Sequence, residues 1–307
     1  MSPSSNAEAP GRRPRRRHKL TSKAVAPYLF ILPNMVVFGL FTIIPTFNLF
    51  NMALYDSKNG RKFTWVGTKN FERIVSNEEF AQVALNTLIY TVAFVALTIV
   101  LATIGAIMLN DSFKGRGFFR AVAFLPSLLS AVVIGLLWGW IFDGSNGLVN
   151  VALGAFDIPA VGWLVNGRLA MGVIIFVGLW FHTGFYTLIM LSGLQGIDGN
   201  VYEAARVDGA TGLQTFFQIT WPLLRPTTFV VLILSTISGF QSFDFIWTLT
   251  GGGPVGSTTL MVQYIFDKAF STPASYGMAS AGAVVLFVAV FLVTVVNYLN
   301  GRRKDAA

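Results

Sequence analysis

The sequence predicts an all-α integral membrane protein with six transmembrane helices and both termini in the cytoplasm. Three observations carry that reading. Hydrophobic residues make up 54% of the 307-residue chain and charged residues 12%, about half the charged share of an ordinary soluble domain. Runs free of Asp, Glu, Lys and Arg cover residues 24–55, 80–110, 121–142, 169–197, 226–243 and 269–301. All but one exceed the ~20 residues that cross a hydrocarbon core, and the 226–243 run reaches that length with its flanks. Finally, 15 of the 22 basic residues lie on one set of alternate connections. They are Arg12, Arg13, Arg15, Arg16, Arg17, Lys19 and Lys23 before the first run, Lys114, Arg116 and Arg120 after the second, Arg206 and Arg225 after the fourth, and Arg302, Arg303 and Lys304 at the end. The positive-inside rule places these segments in the cytoplasm.

Residues 1–22 are rich in Pro, Arg and Ser and read as a disordered basic tail. Beside a membrane such a tail orients insertion and touches anionic lipid head groups, rather than nucleic acid. Residues 23–80 hold the first span, Tyr28 to Phe50, and an outer loop. The span has Pro33 and Pro45 near its ends and no small-x-small cleavage site, so it reads as an uncleaved helix. Tyr55, Phe63, Trp65 and Phe71 in the loop suit an interfacial belt or a docking partner. Residues 81–300 supply the remaining spans: Ala81 to Leu109, Phe118 to Phe142 with a kink at Pro126, Leu169 to Leu194, Pro226 to Leu249, and Tyr276 to Leu299. Gly251-Gly252-Gly253-Pro254 breaks the chain before an amphipathic stretch, Thr258 to Phe270, that lies outside the membrane or partly re-enters it. Residues 301–307 form a cytoplasmic end. Water exclusion cannot drive contacts between such helices, so small residues must, and 30 glycines are present.

The cytoplasmic segment 196–225 has its own local code. Asn200 and, three residues on, Glu203 read as an N-cap with its reciprocal partner, starting a helix near Val201. Val201, Ala204, Ala205 and Asp208 then share a face, three of them small or apolar. Gly209 ends the helix, and Thr211 with Gln214 caps a second that runs to Pro222. A short helix–turn–helix exposing small side chains fits a groove on another protein. The plainer reading is that Glu203 only caps and the alanines only pack against neighbouring spans.

The spacing favours the docking reading. Glu203-Ala204-Ala205, then Gly209, then Ile219-x-x-Pro222 resembles the signature loop of ABC-importer permease subunits. Six fixed positions would coincide by chance roughly once in 10⁷ starting points at average residue frequencies. Trp221 stands where the family usually has Leu, which keeps a large apolar residue. Leu32-Pro33-Asn34, Val66-Gly67-x-x-Asn70-Phe71, Thr250-Gly251-Gly252-Gly253-Pro254, Thr258-Thr259-Leu260 and Tyr276-Gly277-x-Ala279 are similar to sugar permeases of the maltose and glycerol-phosphate type. The likeness spans roughly residues 28–300. It implies a type I ABC importer transmembrane domain in a bacterial or archaeal cell membrane, forming half of a pore. A second, similar permease would complete the pore, two ATPase subunits would sit below, and an extracytoplasmic solute-binding protein would deliver a sugar from above. It also implies that Glu203, Ala204, Ala205, Asp208, Gly209 and Pro222 couple the chain to the ATPase.

The chain has no G-x-x-x-x-G-K-[ST] to cradle nucleotide phosphates, so ATP hydrolysis is expected on a separate subunit. With no Cys, and only His18 and His182, the sequence offers no metal cluster, redox centre or catalytic triad, and no cofactor is expected. The intramembrane polar residues are the remaining candidates. Asp244 is the one carboxylate inside a predicted span, and an ionisable group there reads as functional. Gln241, Ser242 and Ser238 lie on neighbouring turns, while Trp180, His182, Phe185 and Tyr186 make a similar mixture on the fourth span. Sugars present apolar ring faces rimmed by hydroxyls, which aromatic platforms and hydrogen-bonding side chains suit. The same residues could instead satisfy one another between helices. An ion-coupled secondary transporter is the alternative class, against which stands the lack of a membrane-embedded chain of acids and His. A glycerol-phosphate-like substrate stays open, although Asp244 would repel phosphate.

Overall fold

The computed structural model describes residues 22–57, 60 and 62–305, with side chains over 27–299. The basic tail therefore lies outside the described residues, apart from Ser22. The chain divides into two compact units, residues 1–48 and 49–307. In the first, α1 (Ser22–Phe38) passes through a π-helical turn, Gly39–Ile43, into α2 (Ile44–Met52), which runs on into the second unit. Pro45, whose missing N–H cannot make an ordinary helical bond, follows two residues after the turn.

The second unit opens with a small outer element. Strand β1 (Tyr55–Asp56) pairs antiparallel with β2 (Thr64–Trp65), and α3 (Lys69–Val75) follows. Asn70 is wholly buried and its Nδ2 donates to the carbonyls of Ala53 and Tyr55, each at 2.9 Å. Arg73 pairs with Asp56 at 3.0 Å. This element rests on the last helix at Gly277, where a Cβ would run into the Tyr55 carbonyl. Two of the stretches that carry the family resemblance thus meet in one structural joint.

Next come α4 (Glu78–Asn110), capped by Asn77, and α5 (Arg116–Phe124), a 3₁₀ turn at Leu125–Leu128, and α6 (Ala131–Ile141). Pro126 does more than kink this segment: α5 with its turn and α6 meet at 98°. The short α7 (Leu148–Gly154) leads to α8 (Gly167–Gln195), and α9 (Gly199–Val207) to α10 (Gly212–Thr215). A π-helical turn, Phe216–Thr220, joins α10 to α11 (Trp221–Phe240). The chain ends with α12 (Asp244–Thr250), α13 (Met261–Phe270) and α14 (Tyr276–Asp305). Among the described residues, five helical segments are long and apolar enough to cross a membrane: Pro27–Met52, Glu78–Asn110, Gly167–Gln195, Gly212–Phe240 and Tyr276–Leu299. The bent α5–α6 pair makes the sixth when counted as one span.

The fifth span departs from expectation at both ends. Its helix begins at Gly212 and not at Pro226, and it stops at Phe240 and not near Leu249. Pro222 accordingly lies inside a continuous helix, in the first turn of α11, and ends nothing. The stop at Phe240 has a local cause. Ser242 Oγ donates to the Ser238 carbonyl at 2.9 Å, taking the acceptor its own N–H would use in a continuing helix. That N–H turns to Gly239 instead, at 3.4 Å.

The core lies where α4, α8 and α11 pack together, around Tyr90, Phe94, Ala102, Ala106, Ile174, Val177, Met190 and Val231. Close approach requires small residues. A Cβ on Gly184 of α8 would overlap the Ala123 carbonyl of α5, and one on Gly239 would come within 2.8 Å of Thr91 on α4.

Candidate coupling loop and translocation path

The connection between α8 and α11 folds from its caps inward. Asp198, and not Asn200, is the N-cap of α9: its carboxylate accepts from the Asn200 N–H at 3.0 Å and from the Asn200 amide at 3.2 Å. A charged acceptor placed two residues earlier occupies Asn200 itself, so the expected box with Glu203 does not form. Glu203 is exposed, with no hydrogen-bond or ionic partner among the described residues. At the other end, Gly209 adopts φ 74°, which non-Gly residues reach only with strain. Its N–H bonds to the Arg206 carbonyl at 3.1 Å and the Ala210 N–H to the Ala205 carbonyl at 3.0 Å, the two bonds of a Schellman ending.

The expected shared face is divided. Ala205 turns inward and is buried, whereas Val201, Ala204 and Asp208 are exposed. Sequence reasoning missed three apolar side chains that stand out from this loop: Val207, Leu213 and Phe217, at 87%, 74% and 64% exposure. Val207 sits between the spans, where none would cover it; Leu213 and Phe217 open the fifth span and line a cleft with Ile99, Ile104 and Ile107 of α4. The second helix starts with the expected capping box, the Thr211 N–H donating to Gln214 Oε1 at 2.8 Å and the Gln214 N–H to Thr211 Oγ1 at 3.4 Å. Thr220 Oγ1 donates to the Tyr202 hydroxyl at 3.3 Å, bracing α9 against the π turn, and Pro222 is half-buried just beyond.

The eight path candidates do not form one cluster. Tyr186 is buried and donates from its hydroxyl to Ser238 Oγ at 2.9 Å, while Ser242 Oγ lies 3.3 Å from the buried Tyr90 hydroxyl. These three belong to the joint between α4, α8 and α11. His182 packs between the rings of Phe181 and Phe94, at 4.5 and 5.7 Å. Trp180 meets Trp138 edge-on and lines one cleft with Phe176 and Pro126; Phe185 lines another with Phe124 and Pro226. Gln241 and Asp244 occupy the break after α11, exposed, with side chains that lack a hydrogen-bond partner among the described residues. They do not share a helix face, because the helix ends between them.

The Gly-Gly-Gly-Pro stretch has a bracing role. Thr258, fully buried, donates to the Gly253 carbonyl at 2.7 Å and meets Thr250 Oγ1 at 2.8 Å. Asn86 of α4 donates to the carbonyls of Gly256 and Thr259, and Thr87 Oγ1 accepts from the Met261 N–H at 2.9 Å. The turn therefore clamps the α12–α13 connection onto α4.

Six apolar spans, the bent pair counted as one, and one capped helical loop between the fourth and fifth define a multi-pass membrane protein. The chain belongs to the family described as binding-protein-dependent transport system inner membrane components, which matches residues 98–305. It is 36% identical over 295 residues to the trehalose/maltose transport system permease protein MalF of Thermococcus litoralis, covering 94% of this chain and 99% of that one. It is 29% identical over 278 residues to the sn-glycerol-3-phosphate transport system permease protein UgpA of Agrobacterium fabrum, covering 89% and 94%. Its fold is similar to that of a chain in a bacterial ABC transporter involved in the import of the acidic polysaccharide alginate, with a TM-score of 0.81, 24% identity, and 92% and 96% of the two chains covered.

Proposed function

We propose that this chain is one of two permease subunits in an ATP-driven importer of a neutral sugar or oligosaccharide. The solute arrives on an extracytoplasmic binding protein, and ATP is hydrolysed on a pair of separate subunits below. The observation that carries the coupling half is α9: held by Asp198 at one end and Gly209 at the other, it offers Glu203, Ala204 and Asp208 outward, with Val207 beside them. Glu203 makes no cap bond, which leaves its carboxylate free for a partner. Ala205 and Pro222 hold the loop against the spans. The sugar half leans on the greater identity to a trehalose/maltose permease than to a glycerol-phosphate one, and on Asp244, an exposed carboxylate that would repel phosphate.

In the path, Gln241 and Asp244 are the solute-facing pair. Tyr186, Ser238 and Ser242 set the break that presents them; Trp180 and Phe185 on the fourth span add aromatic faces from two separate clefts, while His182 packs between Phe181 and Phe94. The test is uptake of radiolabelled trehalose and maltose into vesicles holding the full importer. Gln241→Ala and Asp244→Asn should each lower uptake while leaving the binding protein's own sugar affinity unchanged. Normal uptake by both variants would return these residues to helix packing. Uptake that survives vanadate but collapses with an ionophore would replace the ATP-driven reading by an ion-coupled one.

A further inference from the structure

The break after α11 exposes more than its two polar side chains. Phe243, Trp247, Phe266 and Phe270 form a connected row of rings. Centroids lie 5.1 Å apart for Phe243 and Phe266, 6.0 Å for Trp247 and Phe266, 4.9 Å for Phe266 and Phe270, and 6.2 Å for Phe243 and Trp247. Sequence spacing produces the row: 243 and 247 are four apart, as are 266 and 270, so each pair follows one helix side. The other side of α12 is buried through Phe245, Ile246 and Leu249, and that of α13 through Met261 and Tyr264. Trp247 and Phe270 remain 45% and 71% exposed.

What covers this row is limited by its neighbours. Asp244 is exposed one turn before Trp247, and Gln241 is exposed just ahead of it. Were the row to face hydrocarbon, an unpaired carboxylate and amide would face it too, and lipid offers them no partner. Were it buried in a tight protein interface, Asp244 would be desolvated without a counter-ion. On α13, Lys268 is paired with Glu79 at 2.9 Å. Those arguments leave an aqueous lumen in which flat apolar faces and hydrogen-bonding groups alternate, and a pyranose chain has that same alternation.

We propose that Phe243, Trp247, Phe266 and Phe270 form an aromatic track on which successive sugar rings stack as the solute moves towards Gln241 and Asp244. The proposal rests on the sugar reading above. Several weak, equivalent platforms favour passage over capture, since a solute leaving one ring meets the next. The track should therefore favour solutes of more than one ring.

The experiment uses the complete reconstituted importer with maltotriose, maltose and trehalose as probes. Trp247→Leu and Phe266→Leu are expected to slow maltotriose import about tenfold, the worth of roughly one lost stacking contact. Binding-protein-stimulated ATPase activity and co-purification of the subunits should stay unchanged. Trp247→Phe should restore most of the import, and Phe270→Ser, at a largely exposed position, keeps the test independent of folding. Loss of co-purification in the leucine variants would make the row a subunit contact and overturn the proposal. Equal import by wild type and leucine variants would overturn it alone, leaving the sugar reading in place. No import of any probe by the wild type, despite stimulated ATPase activity, would instead remove the sugar reading and the track with it.

Discussion

Gly209 allows the coupling reading to be tested through a single backbone angle. Its φ of 74° costs glycine little, but an L-residue held there loses about 1–2 kcal/mol. No atom lies within 4 Å of a Cβ built at this position, so Gly209→Ala adds no clash and its cost is that backbone term alone. Proline is different. Its φ is locked near −65° and it has no N–H, so the bond to the Arg206 carbonyl is lost and the Schellman ending cannot form. That penalty is about 3 kcal/mol or more. α9 has nine residues, fewer than the ~12–15 an isolated helix needs, so its order depends on its ends. Asn tolerates a left-handed φ better than Ala does. The expected order of ATPase binding is therefore Gly, then Asn, then Ala, reduced about 5–30-fold, with Pro abolishing it. The assay is capture of the purified ATPase on detergent-solubilised permease, at matched membrane levels, together with uptake. Wild-type binding by Gly209→Pro would refute the reasoning. So would Ala binding better than Asn, because the argument then has the wrong physical origin.

Two further outcomes follow from the same geometry. The absence of native cysteine makes labelling clean: a Cys at Val207, 87% exposed, should react with an impermeant maleimide only from the cytoplasmic side and a Cys at Lys62 only from outside, and the reverse pattern would invert the topology. Asn70→Ala strands the Ala53 and Tyr55 carbonyls in a buried joint and should destabilise the outer element by about 1–3 kcal/mol, seen as faster proteolysis between residues 53 and 75; unchanged cleavage would show that α3 is held mainly by its apolar contacts.

Much of this architecture was legible in the sequence because the bilayer imposes a coarse rule. Uncharged runs fall close to the helices found, and α8 matches its expected ends to within two residues at each end. The capping box at Thr211 and the stop at Gly209 were readable because each depends on residues no more than five apart. The N-cap was not: Asp198 and Asn200 carry similar local chemistry, and only the folded geometry shows which one accepts. The end of α11 was hidden for another reason. Ser242 diverts its hydroxyl to the Ser238 carbonyl while lying against Tyr90, a partner 152 positions earlier, and no local pattern contains that information. The scatter of Trp180, Phe185 and Gln241 follows likewise, since helical spacing gives the face of one helix but not which helix stands opposite.

The continuity from α10 to α11 bears most directly on mechanism. From Gly212 to Phe240 the chain is one helical rod of 29 residues, about 44 Å long. It starts at the loop proposed to meet the ATPase and ends at the break that exposes Gln241 and Asp244. On that reading no relay of loosely packed side chains is needed, because a rigid element joins the two sites. The rod also has a defined place to bend. The π turn at Phe216–Thr220, Pro222 and Pro226 all lie in its first half, where regular helical bonds are missing and local bending is easiest. Beyond Pro226 the helix is locked against α4 and α8 by Val231, Ser235, Thr236 and Gly239. A push on α9 and α10 would thus bend the near end, and the part beyond Pro226 would move as one body with α4 and α8, carrying with it both the polar pair at the break and the track on α12 and α13, which is clamped to α4 through Asn86 and Thr87.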